Sequence, residues 1–243
     1  MHEDLQRDYH RDADEAHFRW QTEGPYFAAT EAQLLEGVAQ PGERLLEIGC
    51  GHGGNLHHLG PDIDRVGVDF SEQRASFARR TGARCVVAGA ERLPFADGSF
   101  DVVLVRDLLH HLPVRQSALD EAFRVLTVGG RLTLIEPNRT SPLVLLQAAL
   151  VPAERGLLQS TEARLRREVQ QAGFEVERLE RLQPFPLARI LLHPHHGVPR
   201  LGAARWMQRV LDSADLAAGH LVPRSLWMYL RLDCRRPPGS RHS

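Results

Sequence analysis

Residues 1–29 are polar with interspersed aromatics, namely Tyr9, Phe18, Trp20, Tyr26 and Phe27. Thr30 and Gln33 stand at capping-box spacing ahead of Leu34, Leu35 and Val38, which share one face; this predicts a short helix stopped at Pro41-Gly42. A regular alternation then begins. Arg44–Ile48 reads as a short apolar strand running into glycines, Asn55–Leu59 as a helical turn, Arg65–Val68 as a second strand closed by Asp69, and Ser71–Arg80 as a helix stopped at Gly82. Arg84–Ala88 reads as a third strand, and the nearly all-apolar Phe100–Val105 suits a fourth strand buried on both faces. Leu119, Ala122, Phe123 and Leu126 have the spacing of a helix face, which Gly129-Gly130 breaks before a fifth strand at Arg131–Ile135.

The second half is less regular. Leu143–Leu150 and Arg189–Leu192 are apolar patches between prolines, and Ser160 or Thr161 caps a helix carrying Leu165 and Val169 that ends at Gly173. Phe174–Leu182 and about Leu226–Asp233 alternate like strands. The roughly forty residues between them are too many for a hairpin loop and require helical structure, for which Trp206, Val210 and Leu211 are spaced. Strands alternating with helices imply right-handed βαβ units in an α/β, doubly wound, mostly parallel sheet. The chain divides into an N-terminal helical segment (1–40), a core (41–138), a remainder of the sheet with insertions at about 139–158 and 184–223 (139–234), and a disordered tail (235–243).

Composition narrows the chemistry. A length of 243 residues fits one α/β domain with modest insertions, and 42% hydrophobic with 25% charged residues excludes a disordered chain or a disulfide-stapled miniprotein. The net charge of −1 supplies no global field toward nucleic acid or anionic membrane, so neither is expected as a partner. All thirty basic residues are Arg, which excludes a Schiff-base or lysine-base mechanism. Cys50, Cys85 and Cys234 have no framework or zinc spacing. The polar, acidic stretch Met1 to Glu15 predicts no signal peptide, and the longest apolar run, Pro142 to Pro152, falls short of a spanning helix; a cytoplasmic protein is expected.

The main chemical signal is Leu45-Leu46-Glu47-Ile48-Gly49-Cys50-Gly51-His52-Gly53-Gly54. A strand runs into glycines that allow positive φ and close backbone approach, and the helix behind offers unpaired N–H groups. Gly49, Gly51 and Gly54 satisfy GxGxxG, and Asp69 follows twenty residues after Gly49, which by itself also fits a dinucleotide fold. Two features tilt the loop away from NAD. Glu47 precedes the first glycine, where a carboxylate suits a cationic ligand end rather than a pyrophosphate, and Gly53 leaves the loop more open.

Leu46 to Gly53 resembles the E/DxGxGxG motif of class I S-adenosylmethionine (SAM)-dependent methyltransferases. Val66-Gly67-Val68-Asp69-Phe70-Ser71 resembles their second-strand motif, Ala90–Phe95 through Phe100–Val103 the stretch that contacts adenine and enters the fourth strand, His110-His111-Leu112 the segment after it, and Arg124–Leu132 the turn before the fifth. These run in order over residues 43–136, and the likeness is to small-molecule, quinone-biosynthesis-like methyltransferases. The resemblance implies a Rossmann-like, seven-stranded sheet with an antiparallel last strand inserted beside Phe174–Leu182, helical cap insertions, SAM as cofactor, and in-line methyl transfer to a small molecule. Glu47, Gly49, Cys50, Gly51, Asp69, Phe70, Ala90, Glu91 and Arg106 are then the cofactor-binding positions, with Glu47 balancing the cationic half and Asp69 on the ribose hydroxyls. Gly89 departs from the family's usual Asp, which places adenine recognition on the Ala90 backbone and Glu91; Val128 stands where the family often has Pro, which changes a turn and not the chemistry.

His110 and His111 leave the carboxyl end of the fourth strand, the ligand edge of open α/β sheets, and are the candidates for a base or an acceptor-orienting group; helix-start packing is the alternative. Tyr9, Trp20 and Tyr26 are lid candidates or anchors of the N-terminal helix. His193-Pro194-His195-His196 matches no zinc spacing, and no metal is expected. The apolar insertions imply a mostly apolar or aromatic acceptor if they cap the site, or ordinary core packing if they do not. An NAD(P)-linked oxidoreductase and a catalytically silent SAM-binding protein are the competing functions.

Overall fold

Runs of aliphatic residues form seven strands, β1 (Arg44–Ile48), β2 (Asp64–Asp69), β3 (Arg84–Val87), β4 (Phe100–Arg106), β5 (Leu126–Pro137), β6 (Glu175–Leu182) and β7 (Tyr229–Arg235). They join one sheet in the order β3-β2-β1-β4-β5-β7-β6, with β1 to β5 parallel and β7 inserted antiparallel between β5 and β6. The structure is a computed structural model and describes residues 14–24, 27, 32–184, 191–192, 198 and 205–239. The helices are α1 (Glu15–Thr22), α2 (Gly54–His58), α3 (Glu72–Arg79), α4 (Arg115–Val125), α5 (Pro142–Leu150), α6 (Glu162–Gln171) and α7 (Arg205–Leu221).

Alternate strand residues feed opposite faces. Leu46, Ile48, Val103 and Leu132 pack under α4 and α6 through Leu119, Phe123, Leu165 and Val169. Leu45, Val102, Leu104 and Ile135 pack on the other face with Leu56 of α2 and Val144 and Ala148 of α5. Full burial of each such side chain is worth about 1.5–3 kcal/mol, so both layers hold the central strands in place. Ser71 and Thr161 cap α3 and α6 by accepting from Arg74 N and Arg164 N.

Several expectations are corrected. Leu126, read as the last residue of a helix face, begins β5, and Gly129-Gly130 shifts that strand's register against β4 rather than separating helix from strand. The segment after Thr30 is a 3₁₀ turn, Ala32–Leu35, too short to be an α-helix. The expected helix between β6 and β7 is present as α7, with Leu211 buried and Trp206 and Val210 exposed. Arg235 belongs to β7, and Arg236 donates to the carbonyls of Phe123 and Leu126, so the expected loose tail is tied down at its start. Tyr9, Tyr26, Thr30, Phe185, Leu187, Ile190, His193, Pro194, His195, His196 and 240–243 lie outside the described residues.

Candidate active site

The glycine loop leaves β1 at the carboxyl edge of the sheet. Gly49 has φ +76°, and a Cβ there would lie 2.9 Å from a Leu108 methyl, so both torsion and space require glycine. Gly51 has φ +53° and nothing within 4 Å of its missing side chain; the loop presents bare backbone to open space. Glu47, the penultimate residue of β1, is buried. Its Oε1 accepts from Asn55 Nδ2 at 2.5 Å, while its Oε2 has no hydrogen-bond partner. Burial pushes its pKa up to about 8, against the pull of Asn55 and Arg106. The open carboxylate oxygen leaves Glu47 able to accept a further donor or a cationic group.

Asp69 closes β2 and braces this loop, its Oδ2 accepting from Gly51 N at 2.9 Å and its Oδ1 from Ser71 N at 2.9 Å. Burial raises its pKa, and these N–H donors with Arg74 draw it back. Phe70, next in the chain, is exposed at 43%. Ala90 is buried, and Glu91 turns its carboxylate so that Oε2 stands 2.9 Å from where Gly89 would place a Cβ.

Arg106 ends β4, buried, with Nη1 donating to Asn55 Oδ1 at 2.9 Å. Asn55 therefore links Glu47 to Arg106, a role invisible in its sequence context. The adjacent Asp107 holds φ +51°, a conformation that costs a non-glycine residue of order 1–3 kcal/mol, and accepts from Tyr229 Oη at 3.2 Å.

The two histidines separate in role. His110 is buried between carboxylates, Nδ1 2.8 Å from Glu136 and Nε2 3.6 Å from Glu154. Burial alone would lower its pKa, but Glu136 and then Glu154 outweigh it and carry it up to about 10. Glu136 is lowered in turn by the same charge and also accepts from Leu108 N and Leu109 N. Both ring nitrogens of His110 thus face carboxylates, which favours its protonated form. His111 is half-buried, its ring 3.9 Å from that of His110. His110, His111 and Glu154 bring their donor atoms within 4.8 Å of one another, from two distant segments that the sequence did not connect. Glu154 is delivered by the 3₁₀ turn Pro152–Gln159, which presses on the core at Gly156: a Cβ there would lie 1.7 Å from the His110 carbonyl oxygen.

All the sequence-derived candidates, Glu47, Gly49, Cys50, Gly51, Asp69, Phe70, Ala90, Glu91, Arg106, His110 and His111, line a single cavity of about 860 Å³. The same cavity reaches Leu143, Leu146 and Leu150 of α5 and Trp20 of α1. Helix α1 rests on α3 through Phe18 against Phe77, ring centroids 5.4 Å apart, and on the loop through His17 against His52 at 4.8 Å. A 2.6 Å ion pair joins Glu15 to Arg80.

An open sheet in this strand order, with an acidic glycine loop at its carboxyl edge, is the class I methyltransferase fold. Residues 46–134 match the family described as "Methyltransferase domain". It is 33% identical over 133 residues to 27-O-demethylrifamycin SV methyltransferase of Amycolatopsis mediterranei, covering 49% of this chain and 49% of that one. It is 43% identical over 101 residues to demethylmenaquinone methyltransferase of Beutenbergia cavernae, covering 40% and 42%. The chain thus spans about half the length of the curated relatives it matches. In fold it is similar to a SAM-dependent methyltransferase of Thermotoga maritima, described as a possible histamine N-methyltransferase, with TM-score 0.60, 22% identity, and 96% and 97% of the two chains covered. SAM is the family's cofactor, and the residues fit it: the open Glu47 Oε2 suits its ammonium group, and the bare backbone at Gly51 leaves room beside it.

Proposed function

We propose that the protein transfers the methyl group of SAM to a small, mostly apolar or aromatic metabolite. SAM, when bound, supplies an activated methyl on a sulfonium, so the chain's tasks are alignment and exclusion of water. Glu47 holds the ammonium end, Asp69 the ribose, Ala90 and Glu91 the adenine, with Phe70 beside it. Cys50 contributes its backbone, and Arg106 lines the methionine portion.

The observation that carries this reading is the continuity of the cavity from Glu47 to His111 and on to the leucines of α5. His111 takes the acceptor's proton where the acceptor carries one, because His110 is already protonated between Glu136 and Glu154 and serves to position it. The apolar wall favours a ligand with few polar anchors. The two curated relatives, named for 27-O-demethylrifamycin SV and demethylmenaquinone, support a small-molecule acceptor. A net charge of −1 argues against nucleic acid as a partner. Helix α1, with Trp20, acts as a lid. No described helix is long and apolar enough to cross a membrane, and we place the protein in the cytoplasm.

The test is a panel of acceptors incubated with methyl-labelled SAM. Label is expected on hydroxylated apolar or aromatic compounds and not on tRNA. SAM binding with no label on any acceptor would establish a silent binding protein instead.

A further inference from the structure

Two cysteines that the methyl-transfer reading does not use as thiols meet beneath the glycine loop. Cys50 follows β1 inside that loop, and Cys85 is the second residue of β3. Gly67 of β2 lies between them. It pairs in register with Cys85, and a Cβ built on it would stand 2.7 Å from Cys50 Sγ. Because position 67 has no side chain, the Cys50 thiol lies over β2 on the side of Cys85, and both cysteines pack in the same apolar layer. Cys50 is buried and lines the cavity, whereas Cys85 is half-buried on the strand at the sheet edge. The neighbouring Cys50 thiol, with Arg79 nearby, lowers the Cys85 pKa, and Cys85 with burial raises that of Cys50, so Cys85 is the more acidic thiol of the pair. The third thiol, Cys234, is buried on β7 in the core layer on the other face.

We propose that Cys50 and Cys85 form a redox modification site, oxidised by small-molecule disulfides to an internal disulfide that ties the glycine loop to β3 and weakens SAM binding. The Cys85 thiolate attacks one sulfur of the external disulfide, forming a mixed disulfide and releasing one thiolate, which takes up the Cys85 proton. Cys50 then loses its proton and attacks the Cys85 sulfur, expelling the second small thiol. Two protein thiols become one disulfide, and two electrons and two protons pass to the small disulfide, which becomes two thiols. The new bond draws the sulfurs to about 2.05 Å, well inside van der Waals contact. The pull falls on a residue whose N–H is bonded to Val68 O at 2.9 Å and whose neighbour Gly51 is bonded to Asp69. The effect on SAM rests on the glycine loop being the SAM site; the disulfide itself does not.

The test treats the reduced full-length chain with glutathione disulfide, traps free thiols by alkylation, and reads peptide links by mass spectrometry alongside SAM affinity by calorimetry. The expected result is a Cys50–Cys85 link and a SAM Kd weakened roughly tenfold, within the usual span of coupling between two sites, restored by dithiothreitol. Cys85→Ser should form no internal link and keep the reduced affinity under oxidant, and Cys234→Ser should keep the link. Glutathione adducts alone, links only through Cys234, or a linked protein with undiminished SAM affinity would overturn the proposal. If the reduced chain bound no SAM, the cofactor site would be misassigned, while the link, read by mass alone, would still be decided.

Discussion

The carboxylate of Glu91 occupies the space beside Gly89, its Oε2 2.9 Å from the point where a side chain at 89 would begin. The family's usual Asp at that position is missing from this chain, yet an acidic oxygen stands in the same place, supplied from two residues further along.

That relationship gives the first prediction. Glu91→Ala should weaken SAM binding by about 1.5–3 kcal/mol, the worth of a hydrogen bond to a charged group. Adding Gly89→Asp in the Glu91→Ala background should recover most of it. Calorimetry on the single and double variants decides, and a double variant no better than the single one would show that Glu91 does not serve adenine.

Glu47 makes SAM affinity depend on pH. Its pKa in the free protein is pushed up to about 8, whereas pairing with the ammonium group requires the carboxylate. Below that pH a proton must leave on binding, so affinity should rise with pH and flatten above about 8. Titrations in buffers of different ionisation enthalpy should show proton release at neutral pH. Glu47→Gln should abolish that release. It should also raise the ligand-free Tm, because a carboxylate with a raised pKa costs stability above the ordinary value of about 4.3.

His110 acts in the opposite direction on stability. Its pKa rises from the ordinary value of about 6.5 to about 10 in the folded chain, so its ion pairs stabilise fully below the first value and are lost as pH climbs through the second. Glu136→Gln removes the nearer partner and leaves a buried charge, at a cost of about 3–5 kcal/mol. Urea unfolding at pH values near 6 and near 10 should show a large difference between wild type and variant at the lower value and a small one at the higher.

His111→Ala should lower turnover by roughly 10²–10⁴ with little change in SAM binding, once an acceptor is in hand. A fall of less than tenfold would make the reaction one of alignment only.

Much of the fold was legible because its causes are local. β1, β2 and β4 are short apolar runs, and the glycine loop declares itself where no other residue fits the torsions. Residues that act through distant neighbours were not legible. Glu136 reads as the polar end of an apolar strand, Asn55 as a helix-start residue and Glu154 as one charge in an insertion, until folding brings each to His110, Arg106 or Glu47. The same holds for His110 and His111, identical in sequence context and separated only by which one Glu136 reaches. Leu126 misled because its spacing continues the α4 face, although its pairing with Phe100 makes it strand.

The central claim is that the edge of the sheet between Glu47 and Asp69 binds SAM. Calorimetric titration of the full chain with SAM and with NAD, repeated on Asp69→Ala, tests it most directly. Asp69 is expected to lose bonds worth about 1.5–3 kcal/mol each, and it also braces Gly51, so the variant should bind SAM at least tenfold more weakly. The account predicts saturable binding of SAM by the wild-type chain, that loss in the variant, and no heat from NAD. Micromolar NAD binding with no SAM signal, or unchanged SAM affinity in Asp69→Ala, would contradict it.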